Sequence, residues 1–198
     1  HDQLIRGLRL RGANIVTARG CTHRCNFCTG SLCFGRGIRY HSPERVVAEI
    51  QELVERYRIE GIYIADDVFM TQPERVEQLC QALHAAGLHR RMLWCCQLRV
   101  DGLTLEVLRL LKRAGCVQVE FGLESGSQRV LDRMNKRTTV EQNRQAVTLA
   151  HRVGLRVFAN IVVGYPGETR EDLEETRQML LDTRPEAISL NRFVPLPG

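Results

Sequence analysis

The sequence predicts an α/β fold in which six buried strands alternate with helices. A short apolar run, a turn and an amphipathic helix repeat along the chain, and the apolar runs are near-continuous rather than alternating with polar residues. Such runs are typical of parallel strands that are covered on their faces. In addition, the chemically unusual residues follow the strand ends. An open doubly wound sheet and a β/α barrel both fit these patterns.

The predicted strands are the apolar runs of strand length. They cover 13–18, 62–65, 92–98, 117–123, 156–164 and 187–194. Each is short enough for a strand and too short for a typical helix. A cysteine-rich loop over 20–41 separates the first strand from the first helix, so this loop is the longest interruption of the pattern.

The predicted helices are marked by their ends. The first begins at Ser42-Pro43, because serine caps a helix and proline fits its first turn. The second begins at 72–74 and ends near Gly87, and Gly115 ends the third, which starts at 103. Further amphipathic stretches predict helices over 127–134, 140–154 and 170–182.

Composition narrows the class of protein. The 198 residues suffice for one domain with a substantial core, and 43% hydrophobic with 26% charged residues excludes disorder as the main state. No apolar run approaches the roughly 18 residues of a membrane helix, and no signal peptide is visible. The net charge of +5 comes from arginines scattered beside glutamates, which indicates solvated helix faces and is no evidence for nucleic-acid binding. The chain is expected to be an excerpt of a longer protein that forms one domain over 1–198.

Eight cysteines are unusual for this length. They stand at positions 21, 25, 28, 33, 80, 95, 96 and 116. A secreted disulfide framework would require a signal peptide and a smaller, loop-rich chain, so a reducing, cytoplasmic compartment fits better. The last four lie in apolar surroundings and are predicted to be core residues.

The first three cysteines form a C-x3-C-x2-C motif. They are Cys21, Cys25 and Cys28, and Gly20 permits a tight loop before them. Iron–sulfur clusters are held by thiolates at such spacings, and three ligands leave one iron of a four-iron cluster open for catalysis. A zinc site would need Cys33 or His23 as fourth ligand. Unliganded buried thiols suit a polar loop poorly, and a redox pair of two cysteines would leave Cys21 unexplained.

Residues with distinctive chemistry follow the other predicted strands as well. They are Asp66-Asp67, Arg99 and Asp101, Glu124-Ser125, the segment 164–168 and the segment 195–198. The carboxyl ends of parallel strands meet at one edge in both candidate architectures. These residues are therefore expected to share one site with the cysteines.

The motif and its position resemble the radical SAM superfamily, in which an aromatic residue, here Phe27, precedes the third cysteine. The resemblance implies that Cys21, Cys25 and Cys28 ligate a [4Fe–4S] cluster whose fourth iron is chelated by S-adenosylmethionine (SAM). One electron from the cluster would cleave the sulfonium and give a 5′-deoxyadenosyl radical that abstracts a hydrogen from the substrate. The resemblance also implies a partial (β/α)6 TIM-type barrel with parallel strands.

Several further segments resemble SAM-binding motifs of the family. An acid after the second strand holds the methionine amino group, and here it is either Asp66 or Asp67, because adjacent strand residues point opposite ways. Arg99 either pairs with Asp101 or Glu124 or holds the SAM carboxylate.

Two later segments resemble the nucleoside-binding motifs. Glu124 and Ser125 belong to 121–127. Together with 130–131 and 134–136, which includes Lys136, this segment is similar to the ribose-binding stretch, although an acid at Glu124 would also suit a helix N-terminus. Val163 and Gly164 belong to 162–169, which is similar to the motif that packs on adenine. The segment Pro195–Gly198 resembles the turn after the sixth strand.

Together the motifs are most similar to the cobalamin-associated branch of the family, which includes radical methyltransferases and the anaerobic magnesium-protoporphyrin ester cyclase type. A cobalamin domain of the parent protein would lie outside 1–198. The radical methylthiotransferase group is the alternative within the family. A structural or electron-relay metal domain without SAM chemistry is the alternative outside it. The substrate is unspecified, and an electron donor such as flavodoxin or ferredoxin is expected.

Overall fold

The computed structural model of the chain describes residues 2–5, 8–70 and 72–195. Its strands are β1 (Asp2–Ile5), β2 (Leu8–Ile15), β3 (Ala18–Arg19), β4 (Arg39–Tyr40), β5 (Gly61–Ile64), β6 (Leu93–Leu98), β7 (Cys116–Glu124), β8 (Arg156–Val163) and β9 (Ala187–Arg192). Its helices are α1 (Gly30–Phe34), α2 (Pro43–Tyr57), α3 (Pro73–Ala85), α4 (Leu105–Arg113), α5 (Gln128–Arg133), α6 (Val140–Arg152) and α7 (Arg170–Thr183), with a short 3-10 turn at Leu88–Arg90.

Capping residues mark the starts of three long helices, and the cap of α2 is the one predicted from the sequence. Ser42 accepts a hydrogen bond from the Arg45 backbone N–H, and Pro43 occupies the first turn of α2. Thr139 and Thr169 form capping boxes at the starts of α6 and α7. Such caps satisfy amide groups that have no partner within the helix, so they fix where each helix starts.

The seven-stranded sheet has the order β1-β2-β5-β6-β7-β8-β9. Only the β1–β2 pair is antiparallel, so the remaining six strands are parallel and follow one another in chain order. An open doubly wound sheet would reverse this order at a switch point. Right-handed crossovers without a reversal place the helices on one face and curl the sheet. The predicted partial (β/α)6 barrel is therefore confirmed.

The main core lies between the sheet and the helix layer. Ile62, Trp94 and Val119 of the strands are fully buried against Leu79 of α3 and Leu108 of α4. The Trp94 indole N–H donates to the Ala114 carbonyl at 2.8 Å, so its polar atom is satisfied. The four cysteines predicted as core residues, Cys80, Cys95, Cys96 and Cys116, are all buried.

Three differences from the predicted elements lie near the N-terminus. The first parallel strand is Leu8–Ile15 rather than 13–18, and it pairs with the additional strand β1. The cysteine loop contains the short helix α1 and is bounded by the β3–β4 pair. Two-residue strands and a five-residue helix are too short to produce a periodic pattern.

Residues 196–198 of the predicted terminal turn lie outside the described part.

Within the described residues, no helix is both long and apolar enough to cross a membrane.

Candidate functional site

A cavity of 120 Å³ lies where the cysteine loop meets the carboxyl ends of β6 and β7. It brings together seven of the residues predicted from the sequence. These are Cys21, Cys25, Phe27, Cys28, Asp67, Arg99 and Glu124. The strand order places β6 and β7 beside each other, so residues far apart in sequence converge at one edge of the half-barrel.

Backbone contacts hold the cysteine loop against the segment that follows α5. The Asn26 N–H donates to the Met134 carbonyl at 2.8 Å, and the Asn26 side chain donates to the Arg133 carbonyl. In return, the Asn135 side chain donates to the Arg24 carbonyl at 2.6 Å. The loop therefore has a fixed position relative to β7, although it carries little regular structure itself.

The three thiols lie within electrostatic reach of one another. Burial raises the pKa of the Cys21 thiol, and the charges of Cys28 and Cys25 raise it further, while Arg99 acts in the opposite direction. The Gly30 N–H donates to Cys28 Sγ at 3.3 Å, and Arg99 Nη1 donates to Cys25 Sγ at 3.7 Å. Donors aimed at sulfur favour thiolates, the form that binds metal.

The donor set fits an iron–sulfur cluster, because Cys21, Cys25 and Cys28 are three thiols on one loop at the cavity and such clusters are held by thiolates. Among the described residues, no group of three His, Cys, Asp or Glu side chains is close enough to hold one metal ion. Cys33 lies on α1, is exposed and does not line the cavity.

The adjacent Asp66 and Asp67 have different environments. Asp66 is 3% exposed and accepts hydrogen bonds from the Thr17 N–H at 2.6 Å, the Thr17 hydroxyl at 2.5 Å and the Ala18 N–H at 3.0 Å. Burial raises its pKa, and these hydrogen bonds and Arg75 oppose that shift. Asp67 is exposed, lines the cavity and accepts from the Gly20 N–H at 2.9 Å. Only Asp67 therefore reaches the cavity.

Arg99 is held by three groups. Its Nε pairs with Asp101 at 2.7 Å, its Nη2 donates to the Lys136 carbonyl at 2.8 Å, and its Nη1 points to Cys25. The sequence left open whether Arg99 pairs with Asp101 or with Glu124, and the ion pair with Asp101 is the one that forms. The guanidinium is thereby fixed beside the cysteine loop at the cavity wall.

Glu124 forms a buried ion pair with Lys136 at 2.8 Å, in which both side chains are less than 10% exposed. A bulge in β7 between Gly122 and Glu124 and a φ of 62° at Glu124 turn this carboxylate into the cavity. A Cβ at Gly122 would lie 2.4 Å from Glu124 Oε1 and 2.9 Å from Lys136 Nζ. Lys136 Nζ also stands 5.6 Å from the centroid of the Phe27 ring. The ion pair therefore joins β7 to the segment that follows α5, and it lies against the cysteine loop at the cavity wall.

Ser125 points away from the cavity and toward α7. Its fully buried hydroxyl lies 3.2 Å from the Thr176 hydroxyl and accepts from the Ser127 N–H at 3.1 Å. The Gly126 N–H donates to the same threonine at 2.8 Å, and a Cβ at Gly126 would lie 2.5 Å from its Cα. Of the segment 121–127, Gly122 and Glu124 line the cavity, and the rest fastens β7 to its neighbours.

Val163 and Gly164 end β8, the strand beside β7, and do not line the cavity. Gly164 has a φ of 77°, and its N–H donates to Glu168 Oε2 at 2.6 Å. Tyr165 donates to the Arg133 carbonyl and packs edge-on against Phe193 at 4.9 Å. Residues 164–168 therefore form an ordered turn that follows β8 and packs against the residue after β9.

His23, Gln97 and Lys136 also line the cavity. His23 was considered from the sequence only as a fourth zinc ligand. Burial lowers the pKa of His23, and the charge of Arg99 lowers it further, so the imidazole is predominantly neutral at pH 7. Lys136 had a signal in the sequence, because it belongs to the residues that continue the resemblance to the ribose-binding stretch, whereas Gln97 had none.

Comparisons with known proteins agree with this geometry. The sequence model described as "Radical SAM superfamily" matches residues 15–180. An uncharacterized methyltransferase of Pyrococcus horikoshii is 34% identical over 184 residues, which are 93% of this chain and 40% of that protein. The anaerobic magnesium-protoporphyrin IX monomethyl ester cyclase of Cereibacter sphaeroides is 32% identical over 193 residues, which are 96% of this chain and 31% of that protein.

Solved structures give the same fold. The radical SAM methyltransferase TsrM from Kitasatospora setae, with cobalamin and a [4Fe-4S] cluster bound, has a TM-score of 0.80 at 20% identity over 90% of this chain and 34% of its own. The cobalamin-dependent radical enzyme OxsB has a TM-score of 0.73 at 25% identity over 84% and 26%.

The chain thus spans less than half the length of each of these four proteins. Its fold, its cysteine loop and a family match over most of its length agree with one another. The chain belongs to the radical SAM superfamily, whose cofactors are a [4Fe–4S] cluster and SAM.

Proposed function

We propose that this chain is the radical SAM core of an enzyme that reductively cleaves SAM and uses the product for a cobalamin-dependent methylation or cyclisation. The observation that carries the proposal is the convergence of Cys21, Cys25 and Cys28 on one cavity with Asp67, Arg99 and Glu124. Such a site combines soft ligands for iron with charged groups that suit a zwitterionic nucleoside.

In this proposal the three cysteines hold the cluster and leave one iron without a protein ligand. When bound, the reduced cluster supplies the electron that cleaves the SAM sulfonium to a 5′-deoxyadenosyl radical. Phe27 and the Glu124–Lys136 pair line the cavity. Cofactors that fill this cavity would keep water from the open iron and from the reactive product.

Each charged residue of the cavity is proposed to bind a different polar group of SAM. Asp67 is proposed to accept from the methionine ammonium, since its carboxylate is exposed to the cavity while that of Asp66 is fully engaged by backbone donors. Arg99 is proposed to face the SAM carboxylate, and Glu124 to accept from the ribose hydroxyls.

The adenine contacts at Val163 and Gly164 remain a proposal. Their support is that β8 ends beside β7 and that the Gly164–Glu168 hydrogen bond orders the turn. Ser125 and Asp66 are proposed to support the site from behind, because their polar atoms bond to the protein itself.

The enzyme's other partners are proposals of the same kind. The bound cobalamin of TsrM and the cobalamin dependence of OxsB favour a cobalamin domain elsewhere in the parent protein. Radical SAM enzymes require a reductant, and we propose flavodoxin or ferredoxin for this role. Eight free thiols fit a reducing, cytoplasmic location.

Electron paramagnetic resonance on anaerobically reconstituted, dithionite-reduced protein tests the proposal. We expect a [4Fe–4S] signal whose shape changes when SAM is added, because SAM would occupy the open iron. Cys28→Ser should lose the signal, whereas the matched control Cys33→Ser should keep it. A cluster signal that is indifferent to SAM, or bound zinc in place of iron, would contradict the proposal.

A further inference from the structure

The segment of sequence that contains the cysteine motif is basic. Between Asp2 and Glu44, residues 3–43 contain seven arginines and no aspartate or glutamate. Elsewhere in the chain, arginines and glutamates alternate along helices. The basic segment includes the motif that supplies the proposed cluster ligands.

The structure gathers part of this charge on one surface. Arg19 and Arg39 stand directly opposite each other on β3 and β4. The Arg19 guanidinium lies 5.4 Å from the centroid of the Phe34 ring, and Arg39 Nη2 donates to the Phe34 carbonyl at 3.0 Å. Arg36 is exposed between Gly35 and Gly37. We call the exposed side chains Arg19, Phe34, Arg36 and Arg39 the Arg36 surface.

Ion pairing does not explain the Arg36 surface. Like charges directly opposite each other in a β-pair are destabilising. Within the described part of the chain, none of its three arginines pairs with a carboxylate, in contrast to Arg144 and Arg177, which do. Exposed arginines around a partly exposed aromatic ring, 39% exposed at Phe34, are typical of protein interfaces.

The Arg36 surface lies directly behind the cysteine motif. The Cys21 N–H donates to the Gly35 carbonyl at 3.3 Å, and a Cβ at Gly20 would lie only 2.3 Å from the Gly37 carbonyl oxygen. Cys28, at the other end of the motif, is itself exposed. A protein bound on this surface would therefore be one backbone layer away from the cysteine loop.

We propose that the Arg36 surface is the docking site of an acidic one-electron carrier protein. This inference rests on the proposed function, because the carrier supplies the electron for SAM cleavage. For a flavin carrier, one electron leaves the anionic hydroquinone, which becomes the neutral semiquinone, and the oxidised cluster gains that electron. Complementary charge selects the partner and accelerates its encounter, and salt weakens the effect.

Binding to the cluster-free protein gives the first readout, with oxidised flavodoxin as the probe. We expect the Kd to rise at least tenfold in Arg36→Glu/Arg39→Glu and to rise with ionic strength in the wild type. Arg19 is left unchanged because it adjoins Gly20. Arg36→Lys/Arg39→Lys retains the charge and should bind nearly as the wild type does. The control Arg109→Glu/Arg152→Glu reverses exposed charges on α4 and α6 and should not change the Kd.

The second readout is 5′-deoxyadenosine formation by the reconstituted protein. The reversed variant should lose about tenfold in rate with reduced flavodoxin and keep its rate with dithionite, which needs no docking site. An unchanged Kd, or an equal loss with both reductants, would overturn the docking proposal. No cleavage with dithionite in the wild type would instead contradict the proposed function and leave the binding result to stand alone.

Discussion

At the scale of single residues, the adjacent Asp66 and Asp67 have different roles, because the first is buried and the second lines the cavity. We expect Asp66→Ala to lower the free energy of unfolding by about 3 kcal/mol, because the buried Thr17 and Ala18 N–H groups would lose their acceptor. Asp67→Ala should cost less, about 1 kcal/mol, since this side chain is exposed and only the Gly20 N–H loses its acceptor. Urea unfolding of the cluster-free proteins measures both values.

The same two aspartates also allow effects on stability to be distinguished from effects on SAM binding. With the cluster in place, Asp67→Ala should weaken SAM binding in equilibrium dialysis at unchanged iron content. If Asp66→Ala folded as stably as the wild type and lost SAM binding instead, the assignment of the two carboxylates would be reversed.

Lys136 provides a second residue-level prediction. Replacing it with Met leaves Glu124 buried without its partner, which should lower the free energy of unfolding by about 3 kcal/mol. Replacing both residues, as in Glu124→Gln/Lys136→Met, should recover part of that loss, because no uncompensated charge remains. Thermal unfolding of the two single variants and the double variant gives the coupling. Strictly additive effects would show that the pair is not coupled.

The sequence predicted the residues at the strand ends but not where each side chain points. The bulge between Gly122 and Glu124 changes which residues of β7 face the cavity, so alternation alone could not separate Glu124 from Ser125. Lys136 is distant from the cysteines in sequence and reaches them only because Asn26 and Asn135 fasten the two segments together. Long-range contacts of this kind leave no periodic signal.

At the scale of elements, the junction of β7, α5 and α7 depends on Asp172. Burial opposes ionisation of Asp172, but hydrogen bonds from Arg129, Ser127 and Thr169 outweigh it and hold its pKa below the ordinary value. The ionised form therefore stabilises the folded state above the unfolded pKa of about 3.9, and this contribution is lost as the pH falls through the lower folded value. Asp172 also completes the capping box of α7.

We therefore expect Asp172→Asn to lower Tm at pH 7 and the difference from the wild type to shrink below about pH 4. Thermal unfolding by circular dichroism over this range measures the difference. The matched control Asp182→Asn, whose ion pair with Arg144 is exposed, should have a much smaller effect. A difference that stayed constant down to pH 2 would show that ionisation of Asp172 is not the cause.

The elements themselves were largely predictable, since each long helix begins at a capping residue or a proline and each parallel strand is an apolar run. The exceptions are β1, β3, β4 and α1. These elements are stabilised by their partners rather than by a pattern of their own, and Arg19 opposite Arg39 is even an unfavourable pair.

At the scale of the whole molecule, the family and the half-barrel were both predicted and are confirmed, but for different reasons. Apolar runs predicted the six strands and left two architectures open. The resemblance chose the barrel, and the strand order explains that choice physically, because six parallel strands without a reversal cannot form a doubly wound sheet. The convergence of the cysteine loop with β6 and β7 follows from that order.

This convergence predicts that cofactor loading stabilises the entire half-barrel. SAM that binds only the folded, cluster-loaded protein should add about 2.7 kcal/mol at a concentration of about a hundred times its Kd. In a chain of this size, that corresponds to a rise in Tm of about 5–11 °C. Anaerobic scanning calorimetry with and without SAM measures the shift, which should be smaller in Asp67→Ala at the same SAM concentration. An equal shift in the cluster-free protein would show that SAM binds without the open iron, because its anchor would then lie in the protein side chains alone.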